Sequence, residues 1–102
     1  MTDIKDIKER VRQGKYRISF THAEKLRQRE IEIRELEEAL SIGKIVEDYP
    51  DDRRGPSCLI LGYTQKGRPL HIVCGIMGVE LLIITAYEPS PEERESDWKT
   101  RR

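Results

Sequence analysis

Between residues 57 and 87 the chain carries three apolar runs, 57–64, 69–75 and 79–87, parted only by Gln65-Lys66-Gly67-Arg68 and by a short loop at Met77-Gly78. Connections this short cannot hold a crossover, so each run must return alongside the one before it, and the stretch predicts an antiparallel meander. Leu81-Leu82-Ile83-Ile84 is apolar at every position. That pattern suits a central strand covered on both faces. Lys44–Tyr49, with Ile45 and Val46 at its centre and Glu47-Asp48 at its exit, adds a strand ahead of a charged turn over 50–56 that contains Arg53, Arg54 and Gly55.

A sheet with one apolar face needs a cover, and the first forty residues supply it. Ile4, Ile7 and Val11 recur at helical spacing over residues 2–13, with Thr2 or Asp3 as cap and Gly14 as stop. Tyr16-Arg17-Ile18-Ser19-Phe20 alternates and reads as a short strand or extended arm. Thr21 is the expected N-cap of the next helix, with Glu24 completing a capping box and the helix running to Arg29. A further helix begins near Glu32, with Ile33, Leu36 and Leu40 as its apolar stripe and Gly43 as a left-handed stop. Ser90-Pro91-Glu92-Glu93 has the form of a helix start, so a short C-terminal helix pinned by Trp98 is expected. The fold class is α+β in one domain, 1–102: N-terminal helices packed on an antiparallel sheet of three to four strands, then a short helix.

Composition narrows the function classes. No apolar run is long enough to span a bilayer and none follows a basic N-terminus, so a soluble cytoplasmic chain is expected. Cys58 and Cys74 lie inside apolar runs without metal or redox spacing, so they read as reduced core thiols, on neighbouring strands and free to face each other. The 19 basic and 19 acidic side chains cancel, but unevenly. Residues 1–34 carry ten basic and six acidic groups, 35–52 one and seven, 53–71 four and none. A polyanion can be held only if the fold joins the two basic stretches; otherwise these charges are solvated helix faces.

Two histidines stand out. His22, Leu26 and Arg29 share one side of a helix, which sets an imidazole and a guanidinium side by side. Capping or packing by His22, with Arg29 on the surface, is the plainer alternative. His71 interrupts the apolar Leu70-His71-Ile72-Val73 strand and needs a hydrogen bond or a cleft. Thr85 and Tyr87 share one face of the next strand. A two-residue Met77-Gly78 loop sets His71 opposite Ile84 on the other face; a three-residue loop with Gly78 left-handed sets it opposite Ile83, on the face of Thr85 and Tyr87. Arg68 and Lys66 flank the mouth of that hairpin. An imidazole, a phenol, a hydroxyl and a guanidinium around one groove suit cleavage of a phosphodiester by the ribose 2′-hydroxyl. The histidines and acidic residues are not spaced as a metal triad, so neither metal nor cofactor is expected.

His22-Ala23-x-x-Leu26-x-x-Arg29, Ile31, the helix over 35–40, Gly43, Gly62, Gly67-Arg68-Pro69-Leu70-His71-Ile72-Val73, Thr85-Ala86-Tyr87-x-Pro89 and Trp98 together resemble a DUF-type family of small uncharacterised prokaryotic proteins. The likeness covers residues 16–102. Members of that family are often encoded beside a zinc-finger or helix-turn-helix antitoxin, and the family resembles the RelE and BrnT toxins, which have a microbial-ribonuclease-like fold. The resemblance implies a metal-independent endoribonuclease toxin acting on messenger RNA, with or without the ribosome, and held by a cognate antitoxin. It makes His22, Arg29, His71 and Tyr87 the catalytic candidates, and Lys25, Arg68, Thr85, Arg101 and Arg102 the RNA contacts. A non-catalytic protein-binding or regulatory module is the alternative. The family commonly has Gly-Ile-Ser after the arginine, whereas this chain has Glu30-Ile31-Glu32; Glu30 must then turn left-handed or lengthen the helix, and Glu32 is a weaker cap.

Overall fold

The structure, a computed structural model, describes residues 3–53 and 55–102. Along them run α1 (Ile4–Arg12), β1 (Tyr16–Ile18), α2 (Phe20–Gln28), α3 (Ile33–Ser41), β2 (Lys44–Tyr49), β3 (Ser57–Tyr63), β4 (Pro69–Met77) and β5 (Glu80–Tyr87). The sheet order is β1-β5-β4-β3-β2. The expected meander is present, and β2 extends it antiparallel. The fold is α+β with helices on the sheet. It differs from expectation by one strand: 16–18 joins the edge of β5 in parallel, through Leu81 N–H to Lys15 O and Ser19 N–H to Ile83 O at 2.9 and 3.1 Å. Among the described residues no helix is long and apolar enough to cross a membrane.

One sheet face carries Cys58, Ile60, Leu70, Ile72, Cys74, Leu81, Ile83 and Ala86 and packs against Ile7, Val11, Leu36, Ala39 and Leu40 of the helices. Cys58 and Cys74 are buried free thiols, directly opposite each other on β3 and β4. Helix α3 approaches the sheet to backbone distance: a Cβ on Gly62 would sit 2.0 Å from Ala39 O. Gly43 serves the same approach and not the expected left-handed stop, since a Cβ there would meet Ile60 Cγ2 at 2.5 Å and its φ is not positive. Ile33, placed on the α3 stripe by its spacing, is 54 % exposed because that helix turns Leu36, Ala39 and Leu40 inward instead.

Local signals decide the helix ends. Asp3 accepts from Lys5 N–H and caps α1, while the Thr2 alternative lies outside the described residues, as does Arg54 of the 50–56 turn. Ser19, not Thr21, is the N-cap of α2, because its N–H still belongs to the sheet and the helix starts directly beyond it. Its hydroxyl pairs with that of Thr21 at 3.1 Å. Glu30 adopts φ 56, the left-handed solution, and Glu32 forms a capping box with Glu35 in spite of its low cap preference.

The β4–β5 hairpin turns at Gly78-Val79, with Met77 paired to Glu80. A bulge between Val73 and Cys74 in the register leaves Ile84 as the extra residue of β5, so His71 faces Tyr87 and neither Ile83 nor Ile84. Without that bulge the two-residue turn would set His71 against Ala86, a core residue. With it, His71, Val73, Thr85 and Tyr87 share the face away from the helices.

No C-terminal helix forms. Ser90 does cap a turn, accepting from Glu92 N–H at its hydroxyl and from Arg94 N–H at its carbonyl. The chain then reverses: Asp97 captures the Lys99 and Thr100 N–H groups, and Arg94 bridges to Arg101. Residues 90–97 hold no apolar stripe to reward a helix, and an aspartate binding the backbone ahead of it favours a turn. Residues 89–102 lie instead as a strap across the open sheet face. Trp98 is half-buried there with φ 61, so it pins no helix.

Candidate functional site

Helix α2 lies beside β5 just beyond the point where β1 ends, so its side chains meet a strand edge with unpaired backbone groups. His22 fills that edge. Ala86 N–H donates to His22 Nε2 at 2.7 Å, which leaves the hydrogen on Nδ1, 3.3 Å from Thr85 Oγ1. Burial, then the Arg29 and Lys25 cations, hold its pKa below the usual imidazole value. A proton on Nε2 would face the Ala86 N–H, so His22 is a neutral donor and not a general base. One turn past Leu26, Arg29 donates to Ala86 O at 2.7 Å and stands 3.4 Å from Thr85 Oγ1, with its guanidinium carbon 6.0 Å from the Tyr87 ring centre.

His22 and Thr85 border a groove of about 610 Å³ on the open sheet face. Val73, Leu82 and Ile84 form its floor, and Thr21, His22, Lys25, Tyr49, Asp52 and Thr85 stand around it. β5 is therefore not covered on both faces as its sequence suggested; Leu82 and Ile84 are half-buried and face the groove.

His71 and Tyr87 lie on the same face but under the strap. Their rings meet edge-on at 5.7 Å, and His71 Nε2 donates to Trp98 O at 2.7 Å. Burial lowers the pKa of His71 and raises that of Tyr87. A cavity of about 100 Å³ lined by Tyr49, His71, Tyr87, Arg94 and Arg101 adjoins the groove through Tyr49. The four catalytic candidates are thus linked in one row, His22–Thr85–Arg29–Tyr87–His71, with His22 buried at the groove wall, Arg29 exposed and His71 covered by the strap.

The model of a family described as "Domain of unknown function (DUF4258)" matches residues 18–88. The chain belongs to the DUF4258 family. No curated protein and no solved structure matches it. The matched span runs from the last residue of β1 through β5, so it contains the row and the groove floor and stops short of the strap.

The RNA contacts expected of the DUF4258 chain divide into two groups. Lys25 and Thr85 line the groove. Arg68 does not reach it. Its guanidinium donates to Glu30 O, Arg29 O, Glu35 and Glu88, which fastens the left-handed Glu30 turn to the mouth of the β3–β4 hairpin. Arg101 is bound to Glu47 at 2.7 Å, and Arg102 to Pro91 O, Arg94 O and Glu95. Sequence reasoning missed Glu47 and Tyr49. Both point to the open face, where Glu47 joins Arg94, Arg101 and the Tyr49 hydroxyl, and its carboxyl falls to about 2 chiefly through Arg101. The alternation of Glu47 and Tyr49 on a strand was the available signal. Among the described residues no group of three or more His, Cys, Asp or Glu side chains is arranged to hold a metal.

Proposed function

We propose that this DUF4258 protein is a metal-independent endoribonuclease of the toxin kind, acting on messenger RNA in the cytoplasm and restrained by a cognate antitoxin protein. One observation carries the reading. Lys25 lines the groove, Arg29 stands a helical turn beyond it with one N–H on Ala86 O and Thr85, and neither forms an ion pair among the described residues, whereas Arg68, Arg94, Arg101 and Arg102 are all paired with carboxylates. In a chain of zero net charge, an unpaired pair of cations over an apolar floor suits a phosphate with its base laid against Val73, Leu82 and Ile84.

The chemistry follows from what those side chains can donate. The 2′-oxygen attacks phosphorus, the 5′-oxygen leaves, and negative charge builds on the non-bridging oxygens. In this reading Arg29 donates to that charge, the Nδ1–H of the buried His22 supports it through the Thr85 hydroxyl, and Lys25 adds its field. The 2′ proton goes to solvent, because His22 has its lone pair occupied, and the departing 5′-oxygen takes a proton from solvent, which leaves a 2′,3′-cyclic phosphate and a 5′-hydroxyl. The rate then rests on charge stabilisation more than on proton abstraction.

The occupied lone pair and the covered His71 also favour a second reading, a non-catalytic protein-binding or regulatory module. Induced expression tells the two apart. The nuclease reading expects wild type to slow growth and fragment messenger RNA, the purified protein to cut RNA in a chelator, and Lys25→Ala to weaken both. Lys25 is exposed, so that change spares the fold. Full growth and intact RNA with partner-free wild type would refute cleavage; stable capture of a protein partner without any RNA cutting is the signature of the second reading.

A further inference from the structure

Residues 89–102 lie outside the family span and yet cover the half of the open sheet face that continues the groove. The polar ties are few. Glu47 takes Arg94 at 3.0 Å and Arg101 at 2.7 Å, and His71 donates to Trp98 O. Apolar anchoring rests on Leu59 and Leu61 beneath the strap with the buried Pro89 and half-buried Trp98, and the side chains between those two are mostly charged. Beneath the strap lie Leu59 and Leu61 of β3, His71, and the small cavity that meets the groove at Tyr49. Trp98, which aims its carbonyl at His71, has a left-handed backbone that a non-glycine residue adopts only at a cost.

We propose that the strap is a lid over the second half of the RNA path, latched by Glu47 and released when RNA phosphates compete with Glu47 for Arg94 and Arg101. This regulation rests on the RNA reading of the groove. A segment latched by ion pairs to one carboxylate opens when a stronger polyanion offers the same cations another partner. Leu59 and Leu61 keep it shut otherwise, because lifting it without a replacement exposes both to water. Opening would free the His71 Nε2–H and uncover Tyr87 beside Arg29, and so complete the row. The resting protein would present only the Lys25 end to RNA.

The test is amide hydrogen exchange over residues 89–102 in the full chain, for wild type and Glu47→Gln, with and without a 2′-O-methyl hexauridylate that cannot be cleaved. The lid account expects Glu47→Gln to speed exchange at least about tenfold without RNA, the scale of a lost charge-assisted pair. It expects the hexauridylate to speed exchange there in wild type as well. Unchanged exchange in Glu47→Gln overturns the latch, and hexauridylate bound to wild type with the strap still protected overturns the lid. Failure of the hexauridylate to bind either protein refutes the RNA reading, and the lid's ligand with it. Accelerated exchange in Glu47→Gln would mark that failure as one of ligand and not of latch.

Discussion

Replacing Arg68 by alanine separates a structural arginine from an RNA contact. Its guanidinium donates to Arg29 O at 2.9 Å, to Glu30 O at 2.8 Å and to Glu35 at 3.2 Å, and its side chain is 22 % exposed against 14 % for Glu35. The pair with Glu88, which is 53 % exposed, adds little in water. Hydrogen bonds from a charged donor contribute roughly 1.5–3 kcal/mol each when well buried; halving that for partial exposure gives about 3 kcal/mol for the three inner partners. In a domain of this size such a loss lowers Tm by roughly 12–24 °C. Lysine should not restore it, because an ammonium cannot span two carbonyls and a carboxylate in one plane. Thermal unfolding by circular dichroism gives the shift, and RNA binding is read well below the new Tm. An Arg68→Ala protein whose Tm moves by less than about 2 °C while its RNA affinity collapses would refute the reasoning and return Arg68 to the binding surface.

Gly62→Ala should cost about 3 kcal/mol, since its Cβ would stand 2.0 Å from the Ala39 carbonyl oxygen and backbone cannot swing aside; urea midpoints measure it. His22 and His71 titrate below the ordinary value of 6.5 in the fold, so the unfolded chain takes up protons first and stability should fall as pH drops below about 6.5. Glu47 acts in a lower window: its contribution is complete above 4.5 and is lost as pH falls toward about 2. Urea midpoints that stay level between pH 7.5 and about 5 would contradict the histidine assignment. Cys58 and Cys74, both fully buried, should resist a thiol reagent in native protein and react on unfolding; rapid native labelling would show that the sheet core opens.

Spacing and turn chemistry made most of the sheet legible. Short loops fixed the β3–β4–β5 meander, helical periodicity found α1 and α3, and cap residues found α2, though with Thr21 in place of Ser19 as its cap. Three features were not legible, each because a distant contact decides it. The parallel strand β1 depends on the free edge of β5. The register of His71 depends on a bulge that nothing in the Leu81–Ile84 run announces. The expected C-terminal helix loses locally, to an Asp97 turn in a stretch without an apolar stripe, and the place where the resulting strap lies is set by Glu47, far away in sequence, through Arg94 and Arg101. In the site, helical spacing placed His22 beside Arg29, and the common face of His71 with Thr85 and Tyr87 is found by a different register. Sequence could not reveal that the Ala86 N–H takes the His22 lone pair, nor that Arg68, Arg101 and Arg102 are engaged by carboxylates and carbonyls of the chain itself.

The proposed function seats RNA in the groove between α2 and β5 with its phosphate on Lys25 and Arg29. Nuclear magnetic resonance titration of the 2′-O-methyl hexauridylate into the full chain locates the bound strand. Shifts should concentrate at Lys25, at residues 84–86 and at the His22 Nδ1–H. Lys25→Ala should weaken binding and flatten the salt dependence by about 0.7 in log–log slope, the share of one phosphate on a single strand. Shifts confined to the helical face, or a Lys25→Ala protein that binds with unchanged affinity and salt slope, would contradict the account.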